Sequence, residues 1–283
     1  MIRVLIIGQG SYIGTRLSAW LSREPGRFET RTLDVKGGVD FQAFVGMDVV
    51  VHVAGIAHRK AAPGDAPLYH RVNCELTLEC ARAARQAGVR QFVFFSSMSV
   101  YGRVTGRIDA QTRPAPNTCY GQSKWDAEQG LSALAGEDFH VAVLRPPMVY
   151  GPGCRGNYPR LSRLVRRLPL FPRVGSERSM LYIGTLCRFL QQLIESGEGG
   201  LYFPQNAEYV NITQLAREVS RCHGKKLRCV PGFGWLLEGL GRRVPLFGKV
   251  FGTLVYDRAL STAFADDGSL SFAETIRLTE VGE

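Results

Sequence analysis

A tyrosine and a lysine lie four residues apart in the run Tyr120-Gly-Gln-Ser-Lys124. On a helix, residues at this spacing share one face about a turn apart, so their polar ends can converge on one point. Ser97 closes the apolar run Phe-Val-Phe-Phe-Ser-Ser, 23 residues before Tyr120. A serine at the end of a buried strand can reach the same point from the side. These three residues predict a site that moves a proton at a hydroxyl group.

The pKa of a free phenol is about 10, which makes tyrosine a poor base at neutral pH. A neighbouring ammonium group stabilises the phenolate, so Lys124 is expected to lower the pKa of Tyr120. Any further cation bound beside the phenol would act in the same direction.

A glycine-rich turn follows the first apolar run of the chain and opens a helical pattern. Glycines at such a turn let the backbone approach a pyrophosphate, and the helix N-terminus supplies N–H donors. A tight strand–helix turn without a ligand is the alternative interpretation. Because the turn directly follows a strand at the N-terminus, it favours a dinucleotide site. The predicted contacts are Gly8, Gly10, Ser11, Tyr12, Ile13 and Gly14.

Further candidates for this site follow the second and third predicted strands. Asp34 lies 20 residues beyond Gly14. A carboxylate there accepts hydrogen bonds from a ribose and repels a 2′-phosphate, which favours NAD over NADP. Basic residues flank Asp34, so NADP stays open. Asp40 could bond an adenine amino group or be a solvated loop acid. At the end of the third strand, the small residues Ala54 and Gly55 leave room for the cofactor's sugar and phosphate, and Val53 beside them is a further candidate contact.

Two histidines near this strand have simpler interpretations. His52 lies inside the apolar run Val51-His52-Val53, where a histidine is more often a satisfied core residue than a catalyst. His58 begins a basic loop, His58-Arg59-Lys60, and is either a substrate contact or a solvated residue.

Apolar runs alternate with amphipathic helical windows over the first half of the chain. The predicted strands are 3–7, 29–34, 48–53, 91–96 and 140–144, and the predicted helices are 12–22, 68–87 and 120–134. This alternation predicts an α/β fold with a Rossmann-type doubly wound parallel sheet. After Gly151, shorter elements predict a smaller C-terminal substrate-binding lobe. Residues 1–150 would mainly form the NAD(P)-binding domain, and residues 151–283 mainly the lobe.

The composition is that of a globular protein, with 283 residues, 45% hydrophobic and 21% charged. The net charge of +10 suits phosphorylated small molecules. The cations are interspersed with apolar residues, so no nucleic-acid partner is expected. Seven cysteines without a Cys-x-x-Cys pair predict reduced thiols and no metal site. The absence of a signal-peptide pattern and of a long apolar segment predicts a cytoplasmic protein.

Together these motifs resemble the extended short-chain dehydrogenase/reductase family, and within it the NAD-dependent epimerase/dehydratase branch that acts on nucleotide sugars. The resemblance extends roughly through residue 222, over most of the chain. The matching positions are Gly8, Gly14, Asp34, 52–55, 72–73, Ser97, 100–102, 120–124, 144–153 and 178–183.

The resemblance implies a role for each residue. Tyr120 would transfer the proton, Lys124 would support it and anchor the nicotinamide ribose, and Ser97 would orient the sugar oxygen. Further implied contacts are Pro147 with the cofactor, and Ser99, Asn157 and Arg178 with the substrate, the last two at its diphosphate. The resemblance also implies a homodimer.

Three features depart from the family pattern. Ser11 stands where a glycine is usual, so the pyrophosphate turn is expected to differ slightly. Met98-Ser99 replaces the Asp-Glu pair that dehydratases use as general acid and base, so dehydration is not expected. Gly184-Thr185 replaces an acidic pair, and the chain is short for this branch, which weakens the case for the usual UDP-hexose.

We therefore expect an NAD-dependent nucleotide-sugar epimerase of surface polysaccharide or glycan precursor synthesis, acting at carbon 4 of a UDP-hexose or UDP-N-acetylhexosamine. An NAD(P)H-dependent 4-ketoreductase of a nucleotide 4-keto-6-deoxy sugar is the alternative. The resemblance leaves this alternative open because Met148 stands where epimerases often have a polar residue. A non-catalytic dinucleotide sensor is disfavoured because Ser97, Tyr120 and Lys124 are all present. Residues 233–252 mix large apolar groups with four cations, and predict a capping segment, a subunit contact or peripheral membrane contact.

Overall fold

The computed structural model describes residues 1–57, 62, 64–232, 252–261 and 270–282. His58 therefore lies outside the described residues, as does segment 233–252 except Gly252. Within the described part, no helix is both long and apolar enough to cross a bilayer.

Two compact units make up the chain. The first contains residues 1–102, 113–146 and 186–204, and the second contains residues 103–112, 147–185 and 205–283. The described helices are α1 (Tyr12–Leu21), α2 (Ala66–His70), α3 (Leu76–Gln86), α4 (Cys119–Ser132), α5 (Asn157–Arg167), α6 (Ile183–Ser196), α7 (Ile212–Cys222) and α8 (Phe272–Val281). The described strands are β1 (Ile2–Ile7), β2 (Phe28–Leu33), β3 (Val49–His52), β4 (Gln91–Phe95), β5 (Gly106–Ile108), β6 (His140–Leu144), β7 (Met148–Tyr150), β8 (Leu170–Pro172), β9 (Glu177–Arg178), β10 (Met180–Tyr182), β11 (Gly200–Tyr202), β12 (Val210–Asn211), β13 (Arg228–Val230) and β14 (Leu254–Tyr256).

A six-stranded sheet in the order β11–β6–β4–β3–β1–β2 organises the first unit. Every neighbouring pair in it is parallel. The central strands are almost wholly apolar and are buried on both faces, because consecutive residues such as Ile6 and Ile7, whose side chains point to opposite faces, are both fully covered. Phe92 and Phe94 pack against buried residues of α3 and α4. The predicted Rossmann-type parallel sheet is confirmed.

The direction of strand addition reverses at β1. The chain passes from β1 outward to β2 and then returns to the other side of β1 with β3. In open α/β sheets, ligands bind outside the carboxyl ends of the strands at such a switch point. The residues after β1 and β3 therefore flank the expected ligand position.

The helix predicted over 68–87 is divided in the structure. Helices α2 and α3 are joined by a π-helical turn, Arg71–Glu75. Such turns are rare and are frequently found at functional sites. The sixth strand, β11, was not predicted, because it has three residues and begins at Gly200. Its pairing with β6 brings residues 186–204 into the first unit.

The second unit combines helices α5, α7 and α8 with three small sheets. The buried carboxylate of Glu280 on α8 accepts hydrogen bonds from Tyr158, at 2.7 Å, and from Ser162, at 2.9 Å, both on α5. Its Oε2 also lies 2.8 Å from His223 Nε2, directly after α7. One carboxylate thereby connects the three helices.

Candidate active site

A short 3₁₀ helix, Met98–Tyr101, follows β4 and carries the predicted serine at its start. Ser97 Oγ caps this helix by accepting a hydrogen bond from the Ser99 backbone N–H at 3.1 Å. It also donates to Ser99 Oγ at 3.2 Å, and it is hydrogen-bonded to the phenol of Tyr120. The structure therefore brings Ser97, Ser99 and Tyr120 together.

We call residues 97–102 the serine loop. Helix α4 lies close enough to this loop for Tyr120 to reach Ser97. Thr118 caps the helix, and its Oγ1 accepts from the Gly121 N–H at 3.0 Å. A Cβ atom added at Gly121 would lie only 2.6 Å from the carbonyl oxygen of Ser99. Glycine at this position thus permits the close approach of helix and loop.

Lys124 is buried on the same helix, with 4% of its surface exposed. Its Nζ lies 4.7 Å from the centre of the Phe94 ring, and a Cβ added at Gly55 would be 3.3 Å from it. The ammonium group is therefore next to the residues that follow β3. Burial lowers the pKa of Lys124 to about 8, and the Glu128 carboxylate opposes that change. The charged form prevails at neutral pH.

The pKa of Tyr120 is raised, and burial of the phenol is the main cause. The hydrogen bond with Ser97 acts in the opposite direction. The predicted lowering of this pKa is therefore wrong for the chain by itself, because desolvation of the phenolate outweighs the stabilising contacts.

Asn73 lies on the π-helical turn and is fully buried. Its side chain accepts from the Ile56 N–H at 2.8 Å and donates to the Ile56 carbonyl oxygen at 3.1 Å. It also donates to Ser123 Oγ on α4 at 3.1 Å. Asn73 therefore ties the loop after β3 to the helix that carries Tyr120 and Lys124. Its sequence signal is an asparagine inside an amphipathic helical pattern, where the side chain must find buried partners.

A buried ion pair lies one turn beyond Lys124. Arg145 donates through Nη2 to Glu128 Oε2 at 2.5 Å, and both side chains are about 5% exposed. Glu128 also accepts from Ser96, and Arg145 Nη1 donates to Tyr101 at 2.7 Å. The pair joins α4, the serine loop and the ends of β4 and β6. Sequence reasoning assigned it no role; the signals are the carboxylate four residues after Lys124 and the arginine directly after an apolar strand.

His52 is fully buried at the end of β3. Its ring lies 5.9 Å from that of Phe92 and 6.2 Å from that of Phe94, measured between centres. Neither ring nitrogen has a hydrogen-bond partner among the described residues. Burial, assisted by the charge of Lys124, lowers the pKa of His52 to about 3. The predicted core position is correct, but the expectation of a satisfied histidine is wrong.

The glycine turn has the shape that a pyrophosphate requires. Gly8 and Gly10 have φ of 123° and 72°, values that favour glycine. A Cβ added at Gly8 would lie 2.9 Å from the backbone nitrogen of Ala54. Ser11 is extended, with φ of −69°, and its Oγ caps α1 by accepting from the Gly14 N–H at 3.1 Å. The departure at Ser11 therefore requires no distortion of the turn.

The residues after β3 lie against this turn. The N–H groups of Val53 and Ala54 both donate to the Ile7 carbonyl oxygen at 2.9 Å. A Cβ added at Gly55 would lie 2.7 Å from Asn73 Oδ1, so a larger residue would displace that side chain. The backbone cradle, together with the N-terminus of α1 at Tyr12 and Ile13, fits a dinucleotide pyrophosphate.

The two acidic candidates have local partners. Asp34 directly follows β2, and its Oδ1 accepts from the Lys36 N–H at 3.0 Å. This bond, the largest influence, lowers the pKa of Asp34. Asp40 caps the 3₁₀ helix Phe41–Phe44 by accepting from the Gln42 N–H at 3.0 Å. Their contacts with a ribose and an adenine stay predictions.

Three predicted site residues belong to the second unit. Pro147 is buried before β7, and Asn157 is exposed as the first residue of α5. Arg178 lies half-buried on β9, and its Nη2 donates to the Val104 carbonyl oxygen at 3.5 Å. Burial lowers the pKa of Arg178 to about 10, so it stays charged at neutral pH. Their ligand contacts stay predictions.

The described residues form neither a metal cluster nor a disulfide. No group of three or more His, Cys, Asp or Glu side chains in the described ranges is arranged to hold a metal ion. All seven cysteines fall within those ranges, and each is a free thiol.

Comparison with known proteins gives consistent matches. The model of the NAD-dependent epimerase/dehydratase family matches residues 4–200. A UDP-glucose 4-epimerase of Vibrio cholerae is 31% identical over 248 residues, covering 82% of this chain and 73% of that protein. An N-acetyl-α-D-glucosaminyl-diphospho-ditrans,octacis-undecaprenol 4-epimerase of Escherichia coli O157:H7 is 28% identical over 79% of this chain and 73% of its own.

A solved structure extends the likeness to the whole chain. The UDP-glucuronic acid 4-epimerase of Bacillus cereus, in complex with NAD, superimposes with a TM-score of 0.75. The match covers 99% of this chain and 98% of that one at 19% sequence identity. At this identity the likeness establishes a shared fold.

Proposed function

The chain belongs to the NAD-dependent epimerase/dehydratase family, and we propose that it is an NAD-dependent 4-epimerase of a nucleotide sugar. The substrate class we propose is a UDP-hexose or UDP-N-acetylhexosamine, used in surface polysaccharide or glycan precursor synthesis. The observation that carries the proposal is the hydrogen bond between Ser97 and Tyr120, with the Lys124 ammonium on the same helix and beside the end of β3.

The cofactor position follows from the backbone. The glycine turn and the N-terminus of α1 would hold the pyrophosphate of NAD, and Lys124 would bond the nicotinamide ribose. The chemistry that NAD would supply when bound is the removal of a hydride from the sugar carbon and the later return of that hydride to the same carbon. The exposed carboxylate of Asp34 at the end of β2 supports NAD over NADP.

The protein's own residues handle the proton. Ser97 would hold the sugar hydroxyl by a hydrogen bond, in place of its present bond with Tyr120 or alongside it. Tyr120 would take the hydroxyl proton, and the same phenol would give it back on the return step. Lys124 would stabilise the phenolate through its positive charge, which counteracts the rise in pKa that burial causes.

The serine loop also bears on which reaction is excluded. Water elimination needs a general acid and a general base at the sugar, and the positions after Ser97 carry Met98 and Ser99. The Ser99 hydroxyl is bonded to Ser97 and adds no carboxylate. This supports epimerisation or ketone reduction over dehydration.

The substitution Tyr120→Phe tests the proposed proton carrier. It removes the hydroxyl and keeps the ring, so we expect turnover of UDP-glucose or UDP-N-acetylglucosamine to fall by about a hundredfold or more. Retention of NAD should persist, since the pyrophosphate cradle is unaltered. The matched control is Tyr209→Phe in the second unit, which also removes a hydroxyl and keeps the ring; that hydroxyl bonds the Tyr256 carbonyl oxygen and the Arg107 guanidinium. Unaltered turnover in Tyr120→Phe would contradict the proposal.

For assembly and location we propose a cytoplasmic homodimer, on the resemblance to the family alone. Analytical ultracentrifugation of the purified chain tests the homodimer. A single species of twice the chain mass supports the dimer, and a monomer at micromolar concentration overturns it.

A further inference from the structure

Helix α5 presents one face that is both cationic and apolar. Arg160, Arg163, Leu164 and Arg167 follow the spacing i, i+3, i+4 and i+7, which places them on one side of the helix. All four are exposed. The opposite side is occupied by buried residues, among them Val165. The face is therefore not part of the packing that holds α5 in place.

The exposed apolar character continues beyond the end of the helix. Leu164, Leu168 and Leu170 are 44%, 37% and 52% exposed. Ten large hydrophobic side chains are exposed in the described part of the chain, and three of them fall within the seven residues 164–170. Single exposed leucines are common, whereas a cluster of this kind marks an interaction surface. We call it the arginine–leucine face: Arg160, Arg163, Leu164, Arg167, Leu168 and Leu170.

Two more cations lie beside the face. Strand β13 pairs with β8, so Arg228 lies opposite Leu170. Lys225 Nζ donates to the Arg166 carbonyl oxygen at 2.7 Å. The sequence from 157 to 176 contains no Asp or Glu. Two carboxylates on helices α8 and α7 have other partners: Glu280 of α8 holds Tyr158 and Ser162 on the inner side of α5, and Glu218 of α7 pairs with Arg221.

This combination fits one kind of partner. Guanidinium groups bind phosphate head groups, while leucines at the same level enter the acyl boundary of a bilayer. Single-stranded nucleic acid requires aromatic platforms between the cations, and the face has none. We propose that the arginine–leucine face docks the protein on the surface of an anionic phospholipid bilayer. The proposal does not rest on the enzymatic function, because it concerns a surface and not the site of chemistry.

Vesicle flotation tests the proposal with the intact chain. The purified protein is mixed with vesicles of phosphatidylcholine alone or of an equimolar mixture with phosphatidylglycerol. We expect binding only to the anionic vesicles. Arg163→Gln with Arg167→Gln should lower that affinity by about thirtyfold, since each cation near an anionic surface contributes roughly fivefold. The matched control, Arg82→Gln with Arg85→Gln, removes the same charge from the exposed side of α3 and should bind as the wild type does.

A second pair of variants separates a lipid surface from a merely ionic partner. Leu164→Ser with Leu168→Ser should weaken vesicle binding several-fold while every charge is kept. Circular dichroism of each variant establishes that it is folded, and the exposure of the four residues makes them tolerant of substitution. Absence of wild-type binding to anionic vesicles overturns the proposal. It is also overturned if the α3 control weakens binding equally, or if the leucine variant binds unchanged.

Discussion

At the residue scale, loss of solvent shifts the pKa values of three polar groups of the site. The phenol of Tyr120 is made less acidic by burial, Lys124 is made less basic, and His52 is kept neutral. In the proposed mechanism, the ammonium of Lys124 is the charge that would favour the phenolate. The spacing of Tyr120 and Lys124 indicated this pair, but the sequence could not reveal that burial dominates both groups, because desolvation depends on what the fold places around them.

The Lys124 charge has a pH limit that a variant can expose. The pKa of Lys124 is lowered to about 8, so its ammonium is present below that pH and lost above it. An arginine keeps its charge over this whole range. We expect the ratio of wild-type to Lys124→Arg turnover to fall about tenfold per pH unit above pH 8. Steady-state rates from pH 6 to pH 10 measure it, and a constant ratio would contradict the role given to the ammonium.

His52 contributes a pH dependence of stability. Its pKa is lowered in the folded chain to about 3 from 6.5 in the unfolded chain. As pH falls below 6.5, only the unfolded chain takes up this proton, so the folded state loses about 1.4 kcal/mol per pH unit until the pH nears 3.

Urea unfolding at pH 7 and pH 5 measures this effect. Wild type should lose about 2 kcal/mol more between the two pH values than His52→Leu does. The control His70→Gln removes a histidine whose side chain is 47% exposed, and should behave as wild type. Equal losses in wild type and His52→Leu would show that His52 is not kept neutral by the fold.

At the element scale, the site depends on how α4, the serine loop and the loop after β3 are held together. The strands were predictable because their apolar runs are distinctive, and the spacing of Tyr120 and Lys124 indicated helix α4. The side-chain contacts between these elements were less predictable from the sequence. Asn73, Glu128 and Arg145 act through contacts between elements far apart in sequence, and no local pattern specifies which buried polar groups will pair. The division of the predicted 68–87 helix by a π turn has the same origin.

The Glu128–Arg145 pair is expected to be costly to break singly. Arg145→Met leaves the Glu128 carboxylate buried and unpaired, which should destabilise the fold by about 3–5 kcal/mol. The double variant Glu128→Met with Arg145→Met removes both charges and should recover a large part of that loss. Chemical denaturation measures both variants. A double variant less stable than Arg145→Met would contradict this account of the pair.

Gly55 is the contact point between the loop after β3 and α4. Gly55→Ala would place a Cβ 2.7 Å from Asn73 Oδ1, so the asparagine must move and its bonds to Ile56 and Ser123 weaken. We expect NAD affinity to fall by about tenfold, equivalent to about 1.4 kcal/mol. Isothermal titration with NAD measures it. The control Gly26→Ala, where a Cβ has open space and φ is ordinary, should leave affinity unchanged, and an equal loss there would contradict the local explanation.

At the scale of the whole molecule, the sequence motifs predict the fold and the family, whereas they do not predict the substrate. The parallel sheet, the glycine turn and the Ser97, Tyr120 and Lys124 set were readable from sequence, since each has a distinctive pattern. The sugar and the nucleotide could not be predicted, because Asn157 and Arg178 are expected to contact only a diphosphate, which is common to many nucleotide sugars. The net charge of +10 also follows from the sequence. The sequence does not show that Arg228 lies beside the arginine–leucine face, because that placement depends on the pairing of β13 with β8.

The central claim is 4-epimerisation with Tyr120 as the proton carrier. The most direct test follows UDP-glucose and UDP-N-acetylglucosamine, each carrying deuterium at carbon 4, by proton NMR with wild type and Tyr120→Phe and no added NAD(P)H. We predict that wild type forms the 4-epimer of at least one substrate with deuterium retained at carbon 4, and that Tyr120→Phe forms almost none. Loss of the label to water, no epimer without added reductant, or equal conversion by Tyr120→Phe would contradict the claim.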